Sequence, residues 1–121
     1  SVKVHYDMYH GYGELDKAIE LLDDQDREGF RNFVNSEVSF NANNIFICRS
    51  SKLYSDYCEV LFKWLKNCEQ LFGFDINREY SRIRVYAFLA ERFLSYWFKK
   101  NSNYIEWPLK FHDITNDNNN F

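Results

Sequence analysis

No run of this sequence approaches the roughly 18–20 consecutive apolar residues that a helix needs to cross a bilayer. The opening residues, Ser1-Val2-Lys3-Val4-His5-Tyr6-Asp7, lack the basic and apolar regions of a signal peptide. Those two absences lead us to expect a soluble chain with no transmembrane segment. Charge of one sign is also missing: the formal net charge is -3 over 121 residues, with acidic and basic groups scattered throughout. There is no basic stripe of the kind that counterion release on nucleic acid requires, so no nucleic-acid partner is expected. Cysteine is sparse and odd in number. Cys48, Cys58 and Cys68 form no C-x-x-C pair and sit in apolar-periodic segments, where free thiols act as small hydrophobes. A reducing, cytoplasmic setting follows. The phosphate-cradling G-x-x-x-x-G-K-[ST], the dinucleotide G-x-G-x-x-G, the G-x-S-x-G elbow and H-E-x-x-H are all absent, and several enzyme classes lose support with them.

Aromatic residues are abundant, with 12 Phe, 9 Tyr and 3 Trp making 20% of the chain. Each ring removes roughly 150–250 Å² from water when buried, so a few can hold one compact core without disulfides. The length suits one domain, taken as 1–115, followed by a polar Asn-rich tail at 116–121 that is expected to be disordered. The chain opens on Ser1 in what reads as the middle of something, and is expected to be an excised portion of a longer protein.

Hydrophobic spacing sets out the elements. Residues 5–13 mix aromatics, two histidines and two glycines and read as a loop or a short, irregular helical turn. Leu15, Ala18, Ile19 and Leu22 predict a helix over about 14–23, and Phe30, Phe33 and Val34 predict another over 26–36, capped by Asp24-Gln25-Asp26; the two should pack as a hairpin. Ile45-Phe46-Ile47-Cys48 is a short continuous apolar run that reads as a buried strand over 44–49. Two long helices follow, over 52–72 and about 79–100, with Gly73 ending the first and Asp75 or Asn77 capping the next. The segment 104–111 alternates in part, but Pro108 would confine any strand there to an edge. The expected class is α/β and mainly helical: two long packed helices, a helical hairpin and two or three short strands.

A few residues invite chemistry. His5 and His10 titrate near neutrality and can act as ligands or proton carriers, with Tyr9 and Tyr12 able to hydrogen-bond a sugar or phosphate. Asn44 can offer its amide to hydroxyl groups at the end of the strand, or can simply satisfy a turn. Arg84 and Glu91 are seven residues apart and so share one side of the last helix, at the margin of its apolar face, while Arg92 points away from that face. A carboxylate partly withdrawn from water can serve as a general base, which makes Glu91 the candidate catalytic residue; a structural ion pair is the plain alternative.

Asn44-Ile45-Phe46-Ile47, the stretch Tyr57-Cys58-Glu59-x-Leu61-Phe62-x-x-Leu65, and Arg84-x-x-Ala87-Phe88-Leu89-Ala90-Glu91-Arg92-Phe93-Leu94-x-x-Trp97 together carry a resemblance. With Tyr9-His10-x-Tyr12-x-x-Leu15-Asp16-x-Ala18-Ile19, they resemble the C-terminal half of a bacterial domain family of unknown function. That family occurs in capsular, exopolysaccharide and lipopolysaccharide biosynthesis proteins regarded as glycosyltransferases with a GT-A-like fold. The resemblance implies the acceptor-side portion of a sugar transferase, with nucleotide sugar and glycan acceptor as partners and peripheral membrane association at the inner face of the bacterial membrane. It places Glu91 in the catalytic role, Asn44 and Arg84 near the acceptor side of a cleft, and His10 and Tyr12 at its rim. Any divalent metal, Mn or Mg, would be held by the missing N-terminal portion, since a diphosphate-bound ion needs closely spaced carboxylates. Where the family often has adjacent histidines, this chain has His10-Gly11-Tyr12. The alternative from another class is a non-catalytic interaction module of the polysaccharide-synthesis machinery.

Overall fold

The computed structural model describes residues 1–74 and 79–110, the side chain of Ser81 excepted. Among the described residues six helices follow one another: α1 (Val2–His10), α2 (Glu14–Ile19), α3 (Asp24–Ser36), α4 (Ser51–Phe72), α5 (Tyr80–Ile83) and α6 (Val85–Asn101). Local chemistry explains their limits. Ser1 and Ser50 cap α1 and α4, their hydroxyls accepting from the Val4 and Leu53 N–H groups. Asp24 and Asp26 place negative charge in the first turn of α3, where the helix dipole favours it. As the spacing predicts, α4 stops at Gly73, α2 packs on α3, and the two long helices α4 and α6 lie against each other.

The core is organised around α6, which is enclosed by α4 on one side and by α1 and α3 on the other. Phe93 meets Phe30 of α3 at 5.4 Å and Trp64 of α4 at 5.1 Å between ring centres, while Trp97 packs on Tyr57 of α4 at 5.3 Å. Burying each such ring contributes about 3 kcal/mol of gross stabilisation. The Trp64 indole N–H donates to the Ala18 carbonyl at 2.7 Å, which satisfies its polar atom and ties α4 to α2. At the far end, the buried Asp26 carboxylate accepts from the Tyr96 hydroxyl at 3.0 Å and from the Lys100 ammonium at 2.8 Å, joining the start of α3 to the end of α6.

Several sequence expectations need correction. Residues 5–10 are regular helix rather than a loop or a short, irregular helical turn, with the chain turning only at 11–13: α1 runs from Val2 through His10, because Val2 and Tyr6, four residues apart, both bury against the core. The helix expected over about 79–100 is broken at Arg84 into α5 and α6. Residues 44–49 are extended but are not a strand. Asn43 and Asn44 adopt left-handed conformations (φ 72° and 51°), which asparagine tolerates, and turn the chain. Phe46 then inserts against Tyr57 and Phe98, while Ile47 stays 91% exposed. A strand is defined by a neighbour, and among the described residues none pairs with this segment or with 104–110. The fold is therefore mainly helical, without the two or three strands expected and without a GT-A-like sheet among the described residues. The caps expected at Asp75 or Asn77 and the 116–121 tail lie outside the described residues.

Candidate functional site

The N-terminal half of α6 gathers most of the candidate residues. Phe88 is the centre of the group. The His10 imidazole stacks on its ring at 3.8 Å and an interplanar angle of 21°, and the Arg84 guanidinium lies 5.6 Å from the ring centre. Arg84 also faces Tyr80, to whose hydroxyl it donates. Asn44, delivered by the left-handed turn, donates its side-chain amide to the Ala87 carbonyl at 3.2 Å. Ala87 and Glu91 are four residues apart and therefore neighbours on the helix surface. The loop is anchored a turn further on, where the Asn41 N–H donates to the Ser95 hydroxyl at 2.7 Å. Asn44, His10, Arg84 and Glu91 thus converge on one stretch of helix. Tyr12 stands apart at 89% exposure, its ring beside the Lys3 ammonium at 5.8 Å.

Arg92 overturns its expected orientation. It is 1% exposed, facing inward, with its guanidinium between the rings of Tyr6 (5.2 Å) and Phe40 (4.5 Å). It donates to the Phe88 carbonyl at 2.9 Å, to the Glu91 carboxylate at 3.2 Å and to His5 Nδ1 at 3.1 Å. A guanidinium has no acceptor, so His5 Nδ1 accepts and the neutral ring carries its proton on Nε2. The Glu91 side chain is 13% exposed, so the plain alternative, an ion pair, is realised alongside partial access to solvent.

Electrostatics in this seam disfavour added positive charge. Burial, then Arg92, then His5 push the His10 imidazole down to about 4. His5 is lowered too, by burial and then by Arg92, with Glu91 acting in the opposite sense. His10 Nδ1, Tyr6 Oη and Arg92 Nε are buried without a hydrogen-bond partner.

The missed residues, His5 as an arginine partner, Phe88 and Arg92, had a signal. Val85, Leu89, Arg92 and Tyr96 repeat at four, three and four residues, a second core-facing stripe on the same helix. The seam does not suit a divalent ion, because both histidines face a guanidinium. Closely spaced carboxylates do occur in the chain, at Asp24-Gln25-Asp26, but they are engaged: Asp24 pairs with Arg27 at 2.9 Å and Asp26 with Tyr96 and Lys100. Among the described residues no group of three or more His, Cys, Asp or Glu side chains is placed to hold a metal.

Two depressions lie elsewhere. One of about 380 Å³ is lined by Phe62, Leu65, Phe74 and Tyr86, and one of about 220 Å³ by Asp26, Asp56, Trp97 and Lys100. The Phe88 group is an open surface beside a buried arginine. Beside the His10–Phe88 stack it presents a cation at Arg84, an amide at Asn44 and a carboxylate at Glu91, which together can bind hydroxyl groups and accept a proton. Among the described residues no helix is long and apolar enough to cross a membrane. No curated protein and no solved structure matches the chain. A family model does match it, over residues 1–102, and the chain accordingly belongs to the family described as domain of unknown function DUF4422.

Proposed function

We propose that this chain is the acceptor-side portion of a glycosyltransferase that moves a sugar from a nucleotide-sugar donor in bacterial surface polysaccharide biosynthesis, working at the cytoplasmic face of the membrane. The observation that carries the reading is the convergence of Asn44, His10 and Arg84 on α6 within a turn or two of Glu91. Side chains from three separate segments of the chain meet on one helix, as a binding surface requires. In this reading Asn44 and Arg84 hold acceptor hydroxyls, His10 forms the rim with Tyr12 outside the group, and Glu91 takes the proton from the attacking hydroxyl as the glycosidic bond forms and the nucleoside diphosphate leaves. The GT-A-like sheet, the donor site and any Mn or Mg belong to the rest of the longer protein. The longer protein should transfer, or slowly hydrolyse, a nucleotide sugar, and Glu91→Gln should lower that rate by about 100-fold or more with the helical circular dichroism unchanged. Unchanged turnover in the folded variant removes Glu91 from this role.

A second reading has its own support. Tyr12, Ile47, Ile105 and Trp107 are all highly exposed, as a non-catalytic module that docks onto the polysaccharide-synthesis machinery would need. Substituting Tyr12 and Trp107 by serine would then abolish association while leaving sugar transfer by the longer protein unchanged; lost transfer with intact association favours the enzyme.

A further inference from the structure

Two histidines of one helix face a guanidinium that has been taken almost wholly out of water. His5 is fixed as the neutral acceptor of an Arg92 hydrogen bond, so a proton on Nδ1 removes that bond and sets a second cation 3.1 Å from the first. His10 lies flat on Phe88 with Nδ1 buried and unpartnered, so a proton there finds neither water nor an acceptor. The two imidazoles are 6.4 Å apart between centres, and protonating both adds mutual repulsion.

The surrounding charges do not relieve this. From α6 the pair meets Arg92, Glu91 and, across Phe88, Arg84; from α1 itself it meets Tyr6 and Tyr9. The loop packed on His5 contributes the uncharged Phe40, and Glu14 of α2, behind Gly11, is paired with Arg82 of α5. Asp7 is held by Lys3 and the Gly13 N–H. Glu91 alone favours an imidazolium, and it already neutralises Arg92. Directly after His10 the chain passes through Gly11 at φ 127°, a conformation that side-chain-bearing residues rarely adopt and a natural pivot.

We propose that the α1–α6 seam is an acid-sensitive latch: a proton on His5 or His10 frees the last turn of α1 from α6, pivoting at Gly11 and uncovering Arg92 and Phe88. The device is independent of the sugar-transfer reading. Both imidazoles bind protons more weakly docked than free, so docking is complete above their ordinary value near 6.5 and weakens as pH falls, levelling off near 4 for His10. Within that window each proton taken up on opening raises the opening constant about tenfold per pH unit.

Hydrogen exchange on the intact chain at pH 7, 6 and 5, corrected for intrinsic rates, tests the latch. The amides of residues 6–10 should open a few-fold more from pH 7 to 6 and about tenfold more from pH 6 to 5 for each proton taken up, while those of residues 57–64 in α4 stay constant. In the His5→Gln, His10→Phe double variant the α1 slope should vanish, since glutamine still accepts from Arg92 and phenylalanine still stacks on Phe88. A flat α1 profile, an equal slope in α4, or a slope that survives in the variant overturns the proposal. Should the variant fail to fold, proton titration of the two imidazoles by nuclear magnetic resonance decides: both should titrate below 6.5, and ordinary titration of both rejects the latch.

Discussion

The two sides of α6 are built from different chemistry. Toward α4 it presents Phe93 and Trp97 to Trp64 and Tyr57, with the Trp64 indole N–H satisfied by a backbone carbonyl. Toward α1 it presents Arg92 and Phe88 to His5, Tyr6 and His10, with three buried polar atoms left unpartnered. An aromatic seam adds stability with each contact. A seam containing a buried cation holds together only while its partners stay neutral or negative, so the first side sets the global stability of the fold and the second sets what can change.

The largest effect that sharpens this contrast is Trp64→Ala. It opens a cavity between α4 and α6 and removes the indole's hydrogen bond to the Ala18 carbonyl, and should cost about 3–5 kcal/mol in denaturant unfolding. A loss under 1 kcal/mol would mean that the aromatic seam does not carry the fold. Next comes Gly29→Ala, at the contact of α3 with α6. A methyl group there would sit 2.5 Å from the Tyr96 hydroxyl, so the variant should lose about 1–3 kcal/mol, and adding Tyr96→Phe should return part of it. The smallest is Arg92→Met. An apolar chain of similar length removes the buried charge, while Glu91 and His5 retain access to water, so stability should change by about 1 kcal/mol or less in either direction. In the same variant both His5 and His10 should titrate at higher pH than in the parent chain, because the nearby positive charge is gone. A drop of several kcal/mol would instead make the arginine a structural keystone and erase the distinction between the two sides.

Much of this architecture was legible from spacing. The long helix ending at Gly73, its pairing with the last helix and the packing of the two helices before residue 37 all follow from apolar periodicity. Reading a single apolar stripe on α6 is what misdirected Arg92. The helix buries Val85, Leu89, Phe93 and Tyr96 as well as Ala90, Leu94 and Trp97, so its interior face spans at least half its circumference, and Arg92, at the edge of that face, is drawn inside with it. The α1 helix was hidden for a different reason: Val2, Val4, Tyr6 and Met8 alternate instead of recurring at helical spacing, and only the fit of Val2 and Tyr6 against the core marks its inner face. The candidate site was half legible. Four of its residues stand out in the sequence, but the ring on which two of them rest, Phe88, does not.

By itself the sequence determined which segments could be helices, where they stop, and that aromatic rings rather than disulfides would hold them, because these depend on local geometry and on side chains within a few residues of one another. Tertiary structure alone decided that 44–49 lacks a strand partner among the described residues, that Arg92 turns inward, and that Asn44, His10 and Arg84 meet on α6. Each of these depends on which distant surface is available to pack against, and no property of a residue or of its neighbours in the chain encodes that choice alone.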